Sequence, residues 1–188
     1  MTSLDELIAL VRSQPGRHSY ASPGAGTPPH LVAEQLRLSL RLDLVHAPFS
    51  SAGQAIAAAL GGHVPIVFSS TPPAIAHLLT GKLRGLAVTG STRVKELPTI
   101  PTMLEVGRGD IDGEGWFGFV VPAATPKEIV ASLHRVLSQS METAAVRARL
   151  PGLGFEPVLS SPEASAERFR SESAKSARII RTAGIKVE

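Results

Sequence analysis

The stretch RHSYASPGAGTPPHLVAEQLRLSLRLDLVHAP, residues 17–48, reads as strand, turn, helix, strand. RHSYAS has strand composition, and the SPGAGTPP that follows crowds two glycines and three prolines into a turn. Thr27 stands as a helix N-cap with Pro28 at the first helical position. Leu31, Gln35, Leu38 and Leu42 then recur at helical spacing, predicting a helix to about residue 41 with those residues on its buried side. LDLVHAP is the next strand. Two strands joined through a helix are the unit of a parallel sheet.

The unit repeats along the chain. AGQAIAAALGG predicts a helix stopped by Gly61, VPIVFSS a strand, PPAIAHLLTG a helix stopped by Gly81, and LRGLAVTG a strand. Upstream, Ser3 and Glu6 have capping-box spacing. Leu4, Leu7, Ile8 and Val11 share one helical face up to the stop at Pro15-Gly16. The expected class is α/β, with helices around a mostly parallel sheet. The acidic, glycine-rich GRGDIDGEG, residues 107–115, is the sharpest change of composition and the expected domain boundary. Beyond it WFGFVVP and FEPVL read as strands. Thr125-Pro126 opens a long helix that continues into AAVRARL, and Ser161-Pro162 opens a final helix to about Thr182. Two long helices with at most two strands make too small a sheet to cover both faces, so this last part calls for more structure than it contains.

Composition narrows the function. With 43% hydrophobic residues in 188 and a mean hydropathy of +0.14, the chain has enough apolar material for a real core. Aromatics are only 4%, leaving few stacking platforms for bases. Lys plus Arg against Asp plus Glu is 9 to 9 over residues 1–115 and 10 to 7 over 116–188. The small excess is spread along helix-like patterns, which excludes a phosphate-binding stripe and argues against nucleic acid. There is no cysteine, and the six histidines form no metal-binding spacing, so neither a thiolate site nor a zinc site is expected. The N-terminus has no basic segment before an apolar run and is not read as a signal peptide.

A strand leading through a glycine-rich turn into a helix gathers backbone N–H groups at the positive end of the helix dipole, a general way to hold an anion. Gly24 and Gly26 permit close approach, and Ser22 and Thr27 offer hydroxyls. The next two strand-to-helix loops place Ser50 and Ser51, then Ser69 and Ser70, at helix starts on the same expected sheet edge. No Lys or Arg lies in the three loops, so a small carboxylate or phosphate there would be met by N–H groups and dipoles. Neither nucleotide fingerprint fits: GAGTPP lacks the third glycine of GxGxxG, and no lysine follows as in a P-loop. The alternative is three ordinary capped turns without a ligand.

PGRHSYASPGAGTPPHLVAEQL, then DLVHAPFSSAGQAIAAALGGHVPIVFSSTPPAIAHLLTGKLRGLAVTGSTRVKELPTIPTMLEVG, then GWFGFVVPAATPKEIVASLHRVL and the closing TAGIK resemble the substrate-binding receptors of the tripartite tricarboxylate transporters, the Bug or TctC-like family. The resemblance implies a type II periplasmic binding-protein fold, periplasmic location, no cofactor, and delivery of a small mono-, di- or tricarboxylate to a membrane transporter. It assigns residues 1–112 to the second, ligand-binding domain. Residues 113–188 become the returning C-terminal part of a first domain whose N-terminal sheet portion is absent. It implies a ligand set of Ser22, Gly24, Ala25, Gly26 and Thr27, with Ser50, Ser51, Ser69 and Ser70 around it. Family members often carry Tyr-Lys-Gly where this chain has Phe49-Ser50-Ser51, and commonly an acidic or amide residue near Ser69-Ser70; the second departure removes the natural partner of an ammonium group and weighs against an amino-acid ligand.

Two other readings compete with it. A hydrolase would use these serines with His30, His46 or His77, yet no GxSxG nucleophile elbow is present, and His30, at about the third helical position, reads as a capping residue. A remnant that folds without binding anything follows if the missing half of the cleft is essential. Trp116 and Phe117 read as strand residues packed under a domain junction in preference to a ligand wall, and the incomplete first domain predicts a homodimer.

Overall fold

A computed structural model describes residues 2–186. The N-terminal helix α1, Leu4–Ser13, begins at Ser3, whose hydroxyl oxygen accepts the Glu6 N–H at 3.2 Å. Instead of returning to Ser3, the Glu6 carboxylate accepts from the N–H and hydroxyl of Thr2 at 2.7 and 2.8 Å. Leu4, Leu7, Ile8 and Val11 are all buried, as their spacing requires.

Strands β1, His18–Ser22, β2, Leu44–Pro48, and β3, Ile66–Val67, form a parallel sheet in the order β2-β1-β3. Helix α2, Pro28–Ser39, connects the first pair, and α3, Ala52–Leu60, leads to β3. Side chains alternate across β1. Tyr20 packs with α1, α2, Met103 and Ile111 in one core cluster, while Ala21 packs with Ala55, Ala58 and Val64 in another. Both faces of the central strand are thus covered, as in a parallel sheet flanked by helices. The face that α2 buries includes His30, Leu31, Ala33, Glu34 and Leu36. It therefore differs from the expected stripe: Leu36 goes inside, whereas Gln35 and Leu38 are half-buried, and Gln35 donates to the Asp112 carbonyl at 2.9 Å.

The fourth strand expected at residues 83–90 does not form. Val88 makes a single parallel bridge to Thr102, and Gly85 and Gly90 flank it, so the sheet stops at three strands. Helix α4, Thr71–Leu79, buries Ile75 against Leu97 and Ile100. The acidic segment is pinned rather than loose: Ile111 is 1% exposed, Ser39 donates to the Asp110 carboxylate, and Thr89 donates to the Gly113 carbonyl.

The chain divides into two compact units, residues 1–115 with 178–188, and residues 116–177. The second contains α5, Lys127–Glu142, α6, Ala144–Arg149, and most of α7, Pro162–Ala183, whose last turns belong to the first unit. Neither α5 nor α6 buries a residue. The strands expected at 116–122 and 155–159 are absent: among the described residues no neighbouring strand offers them a ladder. Trp116 meets Phe169 and Phe117 meets Phe155 edge to face at 6.0 and 5.5 Å, yet Phe117 stays 80% exposed. The expectation that Phe117 is packed as a strand residue therefore fails.

Candidate functional site

Because β1, β2 and β3 are parallel, the loops that leave them emerge from one edge of the sheet. Two hydrogen bonds tie the outer loops to the central strand. The Phe49 N–H donates to the Ser22 carbonyl and the Phe68 N–H to the Ala21 carbonyl, each at 2.9 Å. The turn at residues 23–27, Ser50 with Ser51, and Ser69 with Ser70 are thereby carried on one carboxyl edge.

The central turn is built from Gly24 at φ 130° and Gly26 at φ 75°, values a side chain rarely adopts. Ser22 is fully buried at its base. Its oxygen accepts the Gly24 N–H at 3.3 Å and lies 3.2 Å from the Gly24 carbonyl and 2.7 Å from Nε2 of His46. The Thr27 hydroxyl donates to the Gly24 carbonyl at 2.7 Å, as does the Thr27 N–H at 3.4 Å. Thr27 occupies the N-cap position without a side-chain capping bond, since Pro28 and Pro29 leave only one N–H in the first helical turn. His30 supplies the missing constraint: its Nδ1 accepts the Gly26 N–H at 2.9 Å.

In the second loop, Ser51 caps α3 by accepting the Gln54 N–H at 3.3 Å, and the Ser50 N–H donates to Oε1 of Gln54 at 3.3 Å. Ser50, Ser51 and Ala25 are exposed. In the third, Ser70 precedes α4 without capping it, because Pro72 and Pro73 remove the N–H groups it would bond. The Ser69 hydroxyl donates to the Ser70 carbonyl at 3.0 Å. The turn has fewer free amides than its glycines suggest. Those of Gly24, Gly26 and Thr27 are used internally, and those of Ala25 and His30 make no protein hydrogen bond among the described residues.

Beneath the turn lies a polar stack that the sequence reading did not assemble. Tyr20, Ser22 and His46 share a sheet face through the register Tyr20↔His46. His46 stacks on Tyr20 at 4.9 Å between ring centroids and on His30 at 3.8 Å with the planes 11° apart. The Tyr20 hydroxyl donates to the buried Glu34 carboxylate at 2.7 Å, and Arg37 forks onto the same carboxylate at 2.7–3.0 Å. Burial raises the Glu34 pKa, but hydrogen bonds from Arg37 and Tyr20 outweigh it and hold the group below the usual carboxylate value. Burial, then the bond to Glu34, pushes the Tyr20 phenol up. Burial lowers His30, and burial with the neighbouring His30 brings His46 down to about 4, so both rings are neutral at pH 7. His77, in the last turn of α4, takes no part. The pair was legible only through strand register and through the four-residue step from Gly26 to His30.

This arrangement does not suit nucleophilic catalysis. Ser22 lies beside a histidine but is 0% exposed, and its hydroxyl is engaged on three sides. No cation lies in the three loops, and Arg37 is committed to Glu34. Among the described residues, no group of three or more metal-ligating side chains assembles.

Known proteins resemble the whole of this chain. BugT of Bordetella pertussis is 30% identical over 190 residues, covering 100% of this chain and 58% of BugT. A Rhodopseudomonas palustris protein solved with adipate superposes with a TM-score of 0.90 at 27% identity, over 98% of this chain and 62% of that one. MatC from the same organism, solved with malate, gives 0.83 at 27% identity, over 95% and 62%. The chain thus spans under two thirds of the length of these relatives. The model of the tripartite tricarboxylate transporter family receptor matches residues 1–185, and the chain belongs to that family.

Proposed function

We propose that this chain forms one wall of the ligand cleft of a periplasmic receptor that holds a small carboxylate and presents it to a tripartite tricarboxylate transporter. The observation that carries the reading is the convergence of three hydroxyl-rich loops on one sheet edge, tied together through Ser22 and Ala21, in a family with members solved on adipate and malate. The carboxylate accepts from the Ala25 and His30 amides and from the hydroxyls of Ser50, Ser51 and Ser70, with the Ser69 hydroxyl turning to it from the Ser70 carbonyl, beside a turn shaped by Ser22, Gly24, Gly26 and Thr27. With no charged partner for an ammonium group in these loops, the ligand is an acid without an amine. Residues 1–112 act as the ligand-binding domain, and 113–188 as the returning part of a first domain, of which 178–188 group with the ligand-binding unit. The exposed Phe117, Phe119 and Val120 fit association of two chains through that part.

The test is amide NMR of the chain titrated with adipate, malate and citrate. Shifts confined to the loops at 24–30, 50–52 and 69–71 are expected for at least one acid, and their absence with all three refutes the reading. Ser70→Asp places a carboxylate at the site and should weaken the same titration by about tenfold or more; unchanged affinity removes Ser70 from the set. Light scattering at micromolar concentration should show a dimer, and a monomer contradicts the association.

A further inference from the structure

The side chains of His30 and His46 are placed to control the turn, through Gly26 and through Ser22. We propose that they are positioning residues: uncharged His30 holds the Gly24–Thr27 turn in its left-handed course through Gly26, and acidification releases the turn together with any anion it holds. The anion half rests on the carboxylate reading above; the positioning half does not.

The geometry fixes the proton. His30 Nδ1 accepts the Gly26 N–H at 2.9 Å, so the neutral ring carries its hydrogen on Nε2. A second proton on Nδ1 turns the acceptor into a donor facing another donor, and the bond is lost. The His30 ring lies flat against His46 at 3.8 Å, so charge on one ring disfavours charge on the other. His46 Nε2 meets Ser22, whose oxygen accepts the Gly24 N–H, so both glycine amides are held by side chains of a single stack. That leaves the Ala25 and His30 amides as the turn's donors to a guest.

The titratable and charged groups around the pair are Tyr20 from β1 and Glu34 with Arg37 from α2. Burial opposes a proton on either ring and Arg37 opposes it on His30, whereas Glu34 favours it; burial prevails. Each imidazole is therefore neutral through the physiological range and charges in acid, His46 at about 4.

Two substitutions separate positioning from packing. His30→Asn keeps an acceptor near the place of Nδ1 but cannot titrate, and His30→Leu removes the acceptor. In ligand-free chain, the Gly26 amide is followed by hydrogen exchange between pH 7.5 and 4.5, corrected for the intrinsic rate. The parent should lose protection as the pH falls, His30→Asn should keep it throughout, and His30→Leu should lose about tenfold already at pH 7.5. Equal protection in the parent and His30→Leu, or the same pH dependence in the parent and His30→Asn, overturns the proposal. If His30→Leu does not fold, the comparison of parent with His30→Asn still decides. Malate titrated into parent and His30→Asn at both pH values tests release, since the acid's own titration is common to the two. Weakening at pH 4.5 should be about tenfold greater in the parent, and equal weakening overturns release. Absence of malate, adipate and citrate binding at either pH counts against the carboxylate reading, while the Gly26 exchange still decides the role of His30.

Discussion

Gly24→Ala and Gly53→Ala add the same methyl group to two open places and should move stability in opposite directions. At Gly24 the new carbon would lie 3.6 Å from the Phe49 carbonyl oxygen and 3.7 Å from the Thr27 methyl; at Gly53 it would meet only the Ser51 hydroxyl oxygen, at 3.9 Å. These are ordinary contacts, so crowding does not decide either case. The backbone does. Gly24 sits at φ 130°, a region nearly reserved for glycine, and an alanine there costs about 1–3 kcal/mol. Gly53 lies within α3, where alanine is favoured by roughly 0.5–1 kcal/mol. For a chain of this length, 1 kcal/mol moves the melting temperature by about 2–4 °C. Thermal melts followed by circular dichroism should show Gly24→Ala lowered by several degrees and Gly53→Ala raised by about two. A Gly24→Ala chain that melts within a degree of the parent refutes the left-handed turn, and with it the scaffold of the proposed site.

Tyr20→Phe leaves the buried Glu34 carboxylate one donor short while Arg37 still grips it, which should cost about 1.5 kcal/mol in urea unfolding; a loss under about 0.5 kcal/mol would show that the phenol bond adds nothing. Ile111→Ala should cost about 2–5 kcal/mol, because this residue of an otherwise polar segment fills the main core; a negligible effect would mean that the segment is not docked. Both histidines hold protons less tightly folded than unfolded, so their contribution is complete above about pH 6.5 and is lost as the pH falls below it, for His46 towards about 4. Each proton taken up steepens the loss by at most about 1.4 kcal/mol per pH unit. Urea unfolding between pH 7 and 4 should therefore flatten in His30→Asn, and an unchanged slope contradicts the assignment.

What the sequence made legible was local. The apolar stripe of α1 and the order strand, glycine-rich turn, helix from residue 17 to 48 appear as read, because spacing and punctuation are written in neighbouring residues. The failures concern pairing. LRGLAVTG, WFGFVVP and FEPVL have strand composition, but a strand exists only beside a partner, and among the described residues the sheet offers none. On α2, the choice of Leu36 over Leu38 as a core residue depends on how the helix rolls against β1, which helical periodicity alone does not fix. In the site, the three loops were visible as helix starts, whereas the Tyr20, His30 and His46 stack needed the parallel register that sets Tyr20 beside His46. The prolines that announced the helix starts also removed amides from them. That loss shifts the available donors towards hydroxyls and is readable in retrospect from PP at 28–29 and 72–73.

The most direct test of the account is a thermal melt of the chain with and without millimolar mono-, di- and tricarboxylates. An acid present at 100 times its dissociation constant adds about 2.7 kcal/mol. The account predicts a selective rise of about 5–10 °C for at least one acid, abolished by Gly24→Ala. A cooperative melt that no carboxylate shifts would contradict it.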